Sequence, residues 1–567
     1  MRLQWEFPSS SDQQRCKQLA DELSLSPILG KILYNRGIVE LEEARKFLNP
    51  DLNNLSDPFE LKDMEKGAAR VLTALKENQK IMIFGDYDVD GITSASLMYL
   101  VLNKLGAQAS YYLPNRLEEG YGLSEEGILE AERRKAELII SVDCGINAVN
   151  EVKFAQEKGI DCVITDHHEP SEIIPDAWAI INPKYKGKEY SGKDLSGVGV
   201  AFKFAQAIYR KLGQDEKELE EHLDLVALGT AADIVPLIGE NRILTRFGLS
   251  QVAKSSKPGL KSLIFISGLM GKEIGTGQVV FILAPRINAV GRLGDPEKAI
   301  KLLTTKDEKL ASGIARILEE ENRKRKDIDE ETLEQALKLV REQVDLENDK
   351  AIVLASEGWH QGVIGIVASR IAERFYRPTI MISIDGEWGK GSARSIPGFH
   401  LFNALKECED LLLKYGGHKY AAGLSISTQQ IEFFKKRFIQ VSSERLRKED
   451  LIPRLSVDAE IELVEINNEL ISALELFAPF GPGNLRPVLV TRDLELVESP
   501  YVVGKNHLRL KVRKNGVVMD AIGFNFGDYA IPLTNKRYSI DLAFVLELNE
   551  WNGNSKIQMR IKDLNLK

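Results

Sequence analysis

A chain of 567 residues is longer than one hydrophobic core normally grows, so several packed units are expected. With 43% hydrophobic and 28% charged residues the composition is that of a globular protein, which excludes a largely disordered or fibrous chain. A formal net charge of -9 excludes nucleic-acid binding through a uniformly basic surface, so any such site must be a local stripe or rest on metal ions.

Met1 to Ser10 lack the apolar core of a signal peptide, and no apolar run approaches bilayer length, so a soluble cytoplasmic protein with no membrane partner is expected. Cys16, Cys144, Cys162 and Cys408 have no paired spacing and read as reduced, mostly buried thiols. From Gln13 to Lys76 the pattern is helical, broken at Asn49-Pro50 and Asp57-Pro58, and carries no visible chemistry; residues 1–75 are expected to form a helical preface. A strand then covers Ile81 to Phe84, a helix starts at about Thr93, and apolar strands cover Leu138 to Val142 and Cys162 to Thr165. That alternation predicts a parallel α/β sheet in a catalytic domain, 76–305. Lys306 to Val344 has no proline, one glycine and dense Glu, Lys, Arg and Leu, which predicts a long linker helix over 306–345. A smaller α/β lobe, 346–450, opens at Ala351 to Leu354 and contains two glycine-rich segments, Gly389 to Arg394 and Gly416 to Gly423.

Beyond residue 450 the period changes to two. His507 to Arg513 puts Leu508, Leu510 and Val512 on one face and Arg509, Lys511 and Arg513 on the other, and Asn515-Gly516 turns the hairpin. A later strand, after a turn at Asn552-Gly553-Asn554, places Ile557, Met559 and Ile561 inward and Lys556, Gln558 and Arg560 outward. An OB-type β-barrel over 451–567 with one basic face is expected. The fold class is therefore α/β: two α/β lobes joined by a long helix, plus a C-terminal β-barrel.

Directly after the first strand comes Gly85-Asp86-Tyr87-Asp88-Val89-Asp90-Gly91, with carboxylates at alternate positions in a turn that opens a helix. Clustered carboxylates at neutral pH call for a bound cation, because mutual repulsion otherwise protonates one of them. Taken alone, the segment reads as well as a solvated acidic turn or a calcium loop as it does as part of a catalytic metal site. Two further strands end in the same way, at Asp143 and at Asp166-His167-His168. The carboxyl ends of parallel strands share one edge, so these groups can converge on one crevice. Asp233, among apolar neighbours in Gly229 to Pro236, completes the set. Carboxylate and imidazole ligands without paired cysteines suit Mn²⁺ or Mg²⁺, and two such ions imply phosphoester hydrolysis.

The ordered series Asp86 to Gly91, Val142 to Gly145, Asp166-His167-His168 and Gly229 to Leu237 resembles the motifs of the DHH phosphoesterase family. Gly416 to Gly423 resembles the accompanying substrate lobe, DHHA1. Trp359 to Gly365 and Ala284 to Arg292 are similar to the RecJ-type exonuclease branch. The resemblance implies that Asp86 and Asp143 hold one cation and that Asp88, Asp143, His167 and Asp233 hold the other, with Asp90 structural and His168 facing the scissile phosphate. It further implies that Arg286, Asn288, Arg292, Ser392, Arg394, Ser395, Gly417 and His418 contact DNA. The basic face of Arg509, Lys511 and Arg513 reads either as solvated barrel surface or, since an OB-type barrel commonly tracks single strands, as a further DNA contact. The implied activity is 5′ to 3′ hydrolysis of single-stranded DNA to mononucleotides in repair and recombination, with a helicase or single-strand-binding protein as partner. A DHH oligonucleotide or cyclic-dinucleotide phosphodiesterase is a rival that leaves the barrel unused. The complete motifs count against a non-enzymatic scaffold, and a pyrophosphatase has no use for a DNA-binding barrel.

Overall fold

The structure, a computed structural model, describes residues 3–8, 12–115, 119–120, 122–185, 190, 192–534, 539–551 and 554–567. Two compact units account for them: Asn54–Leu451, and Met1–Asn53 together with Ile452–Lys567.

The first unit opens with a five-stranded sheet. Its order is Gln108–Tyr112, Lys80–Gly85, Leu138–Val142, Asp161–Thr165 and Ala179–Ile181, and every pairing is parallel. The central strands are buried on both faces, which is why they are continuous apolar runs in sequence. The first helix starts at Val89 rather than near Thr93, because Asp88 caps it by accepting the Asp90 and Gly91 N–H groups at 2.9 and 3.1 Å. The expected linker is a 36-residue helix, Glu308–Gln343, capped by Asp307.

The lobe beyond it carries a mixed sheet in the order Lys414–Gly417, Ala421–Ser427, Trp388–Arg394, Thr379–Asp385 and Ile352–Glu357. Both glycine-rich segments are strands of this sheet. Glycine is tolerated there because neighbours come close: a Cβ on Gly391 would lie 2.7 Å from Leu424.

In the second unit, the strands Leu489–Leu496, His507–Lys514, Val517–Gly523, Ile540–Trp551 and Asn554–Leu566 close into a ring in the spatial order first, second, third, fifth, fourth. Glu495 and Leu496 pair with Arg513 and Val512 to shut it, and the third and fifth strands run parallel. This is an OB-type barrel. Leu508, Leu510 and Val512 are buried as expected, and Asn515 and Gly516 both take positive φ, as a tight hairpin turn needs. Gln558 corrects the expected alternation: it is buried, whereas Lys556 and Arg560 on the same strand are exposed. Residues 552–553 of the later turn lie outside the described residues.

The preface 1–75 is shared between the units rather than forming one of its own. Leu19, Leu29, Ile32 and Leu33 enter the same hydrophobic cluster as Leu489, Leu508 and Phe544 of the barrel, whereas Met64–Lys76 packs in the catalytic unit. Arg36 locks the N-terminal helices to the barrel, with Nε 2.8 Å from Asp458 and Nη1 donating to Asn484 at 2.7 Å. All four cysteines are free and buried. Among the described residues no helix is long and apolar enough to cross a membrane.

Candidate metal centre

Three parallel strands end at one edge of the catalytic sheet, and each end delivers part of the cluster. Asp86, Asp88 and Asp143 bring carboxylate oxygens within 4.8 Å of one another, and so, as sets, do the ligand atoms of Asp90, His167 and Asp233 and of Asp143, His167 and His168. Asp143 thus belongs to two of the sets. Asp88 groups with Asp86 and Asp143, whereas the resemblance implies a place with the cation of His167 and Asp233. His167 Nε2 lies 3.1 Å from Asp143 Oδ1 and 3.5 Å from Asp233 Oδ2.

The residues fit a divalent cation on the chemistry of their atoms. His167 Nε2 and Asp233 Oδ2 are buried with no hydrogen-bond partner among the described residues, an arrangement that costs free energy unless a cation meets both. Burial, reinforced by His168, lowers His167 to about 3, so its ring is neutral and its lone pair available. Burial raises Asp143 and Asp233 well above the carboxylate range, and the neighbouring aspartates add to it in each case.

Two further aspartates of the site, Asp90 and Asp166, are held by backbone N–H groups. Asp90 accepts from the N–H groups of Gly197 and Val198 at 2.7 and 2.8 Å, at the start of the helix Gly197–Lys211, where the helix dipole favours a carboxylate. Burial still raises it to about 7, with Asp88 contributing. Asp166 accepts from Ile146 N–H, from the N–H groups of both histidines, and lies 2.7 Å from His168 Nδ1. Burial pushes His168 down, but the Asp166 hydrogen bond and charge outweigh it and leave it raised. Nothing in the linear sequence marked the Gly197 contact. A Cβ at that position would sit 2.4 Å from Asp143 Oδ1. Gly197→Ala is therefore expected to displace the buried Asp143 carboxylate and lower cleavage by about a hundredfold, with a loss of stability of about 1–3 kcal/mol from the overpacking. Activity measured beside a melting curve checks this, and unaltered turnover contradicts it.

The raised carboxylates carry a pH signature. With folded-state values above the unfolded ones, their contribution to stability is full at low pH and is lost as pH rises through the folded value, about 7 for Asp90. A cation displaces those protons, so its affinity rises with pH. The melting-temperature gain given by Mn²⁺ is expected to be larger at pH 8 than at pH 6; a larger gain at pH 6 would contradict the assignment.

The helix Ala284–Leu293 joins this centre to the second lobe. A Cβ on Gly291 would lie 2.5 Å from Tyr87 O in the acidic turn, and Arg292 Nη1 donates to Gly362 O at 2.9 Å. Asn288 is half-buried on this helix. Arg286 is not brought to the surface: it is buried, with Nε 2.6 Å from Glu319 of the long helix. Arg394 and Ser392 lie together, 3.1 Å apart, under the start of the helix Ile364–Phe375. Ser395 Oγ donates to Phe399 O at 2.9 Å, while Gly417 and His418 are exposed. On the barrel, Arg513 pairs with Glu495 at 2.9 Å and Lys511 with Glu498 at 3.6 Å, so part of the expected basic face is neutralised. Arg509 stands in register between Tyr501 and Ile522, and the next residue across, Arg560, lies over the exposed Phe524 ring at 5.0 Å.

A parallel sheet with this cluster at its carboxyl edge, followed by a second α/β lobe, defines a metal-dependent phosphoesterase. Residues 80–230 match the DHH family N-terminal domain, 348–444 the DHHA1 domain and 457–563 the RecJ OB domain. The single-stranded-DNA-specific exonuclease RecJ of Bacillus subtilis (strain 168) is 40% identical, over 99% of this chain and 71% of its own length. The crystal structure of RecJ from Thermus thermophilus in complex with Mn²⁺ is 30% identical, with a TM-score of 0.86, covering 100% of this chain and 80% of that one. The complex of the same protein with Mg²⁺ gives a TM-score of 0.79 at 29% identity, covering 99% of this chain and 78% of that one. The chain belongs to the RecJ family of single-stranded-DNA-specific exonucleases.

Proposed function

We propose that this chain hydrolyses single-stranded DNA from its 5′ end to 5′-mononucleotides at a centre of two Mn²⁺ or Mg²⁺ ions, in cytoplasmic DNA repair and recombination, fed by a helicase or single-strand-binding protein. The observation that carries the reading is the convergence of Asp86, Asp88, Asp143, His167 and Asp233 at one sheet edge in a chain that also carries an OB-type barrel. Asp86, Asp88, Asp143, His167 and Asp233 hold the ions, with Asp143 shared. Residues 76–305 supply the chemistry, 306–345 the linker, 346–450 the substrate lobe and 451–567 the barrel.

When bound, the two cations polarise the phosphodiester, favour ionisation of the attacking water and stabilise the leaving oxygen. The chain's own groups do the rest. Asp90 fixes the acidic turn to a helix N-terminus, and Asp166 orients His168. His168, kept protonated more readily than a free imidazole, donates to a non-bridging phosphate oxygen. Ser392 and Arg394 hold the backbone without reading bases.

A strand labelled at its 5′ end should release its label as mononucleotide at once, and one labelled at its 3′ end only late, both abolished by a chelator. Blunt duplex should resist, since it exposes no single-stranded end to grip. Simultaneous early release from both ends, or rapid loss of blunt duplex, would overturn the reading. On the barrel, Arg509→Ala is expected to weaken single-strand binding more than Arg513→Ala, because Glu495 already neutralises Arg513. Equal losses in a binding titration would count against the aromatic-flanked position as the grip.

A further inference from the structure

Strand alternation in Trp388–Arg394 buries Gly389, Gly391 and Ala393 and turns Lys390, Ser392 and Arg394 to the opposite face. The register extends that face across the sheet: Lys390 lies opposite Ser425, which lies opposite Lys414, and Ser392 lies opposite Gly423, which lies opposite Gly416. The helix Ile364–Phe375 packs over the strands Thr379–Asp385 and Trp388–Arg394. At the outer strands the face opens into a cavity of ≈390 Å³, whose walls include Gln361, Lys390, Ser392, Lys414 and Ser425.

Two features of this cavity lack an internal explanation. Neither Gly416 nor Gly423 has a positive φ, and a Cβ would meet nothing within 4 Å at Gly416 and only an ordinary 3.9 Å contact at Gly423. Neither backbone conformation nor packing calls for glycine, so their effect is to leave the backbone open to a ligand. The side chains of Lys390 and Lys414 make no ion pair or hydrogen bond with any described residue, in a chain with a formal net charge of -9. With Ser425 between them they present donors to a concave surface, which concentrates positive potential. Along the strand, Arg394, Ser392 and Lys390 repeat every two residues, roughly 6.8 Å apart, a pitch that an extended phosphodiester backbone can follow.

We propose that Lys390, Lys414 and Ser425 form a further phosphate grip, which takes a backbone phosphate of the substrate strand outside the reaction centre. The proposal rests on the single-strand exonuclease reading above. The same phosphate chemistry is offered by the released mononucleotide, and the experiment separates the two sources.

The test uses the full chain carrying Lys390→Ala and Lys414→Ala together; both side chains are exposed, so the fold is expected to be retained. Affinity for a long single strand is measured in metal-free buffer across a salt series, beside Mn²⁺-dependent cleavage of a dinucleotide and its inhibition by thymidine monophosphate. The grip predicts about tenfold weaker binding of the long strand and a log–log salt slope flatter by roughly 0.7 for each phosphate no longer neutralised. Dinucleotide cleavage and product inhibition should be unchanged, and replacement by arginine at both positions should restore the affinity. Identical affinity and slope in variant and parent would overturn the proposal, as would weakened product inhibition with unchanged strand binding, which would assign the cavity to the free nucleotide. A parent protein that neither binds nor cuts single strands would overturn the exonuclease reading and this proposal with it.

Discussion

Replacement of Asp143 by asparagine is expected to lower cation-dependent cleavage by several orders of magnitude while leaving the metal-free fold at least as stable as the parent. Asp143 is buried and belongs both to the Asp86–Asp88 set and to the set of the two histidines, so its loss removes a ligand common to two sets. In the metal-free protein its negative charge is unfavourable: burial disfavours it first, and Asp90, Asp88, Asp233 and Asp86 add repulsion. Its backbone sits at φ 61°, a left-handed conformation that asparagine tolerates better than alanine. Asparagine is therefore the cleaner replacement, and Asp143→Ala should lose as much activity but some stability. Cleavage of a labelled strand with Mn²⁺, and melting in the presence of chelator, read the two effects separately. Near-parental turnover in either variant would contradict the shared-ligand assignment.

The second large effect concerns where the chain can be cut. Removing the barrel alone, at residue 452, should leave an aggregating protein. Leu19, Leu29, Ile32 and Leu33 would lose the barrel side chains that cover them, and large exposed apolar patches of this kind drive association. Removing residues 1–53 as well should give a soluble unit, 54–451, that retains both α/β lobes and the whole acidic cluster. That unit is expected to hydrolyse short oligonucleotides at near-parental rates but to bind long strands more weakly, since the barrel no longer grips them. Size-exclusion profiles and cleavage assays of both truncations decide the matter. A soluble, monomeric 1–451 would show that the N-terminal helices do not depend on the barrel.

Much of the catalytic sheet was legible because strands buried on both faces must be apolar throughout: Leu138–Val142 has the same bounds in sequence and structure. Gln108–Tyr112 was not, since its residues are half-exposed and only weakly patterned, and Ala179–Ile181 is too short to leave a period. The glycine-rich segments showed no strand pattern in sequence because packing against neighbours and room for a ligand, rather than propensity, set their composition. The metal cluster was legible because each member ends a recognisable strand or lies in a motif. The fates of individual cations were not. Arg286 meets Glu319 and Arg513 meets Glu495, and such partners depend on which faces come together in space. The sharing of the N-terminal helices with the barrel likewise joins the two ends of the sequence, invisible to any local pattern.

The most direct measurement of the central claim is a titration of metal-free protein with Mn²⁺, following bound ion by equilibrium dialysis and cleavage of a 5′-labelled single strand in the same samples. Two ions per chain, with cleavage appearing only as the second binds, and loss of the two-ion stoichiometry in Asp143→Asn, is the predicted result. Full cleavage with a single bound ion, or with none, would contradict it.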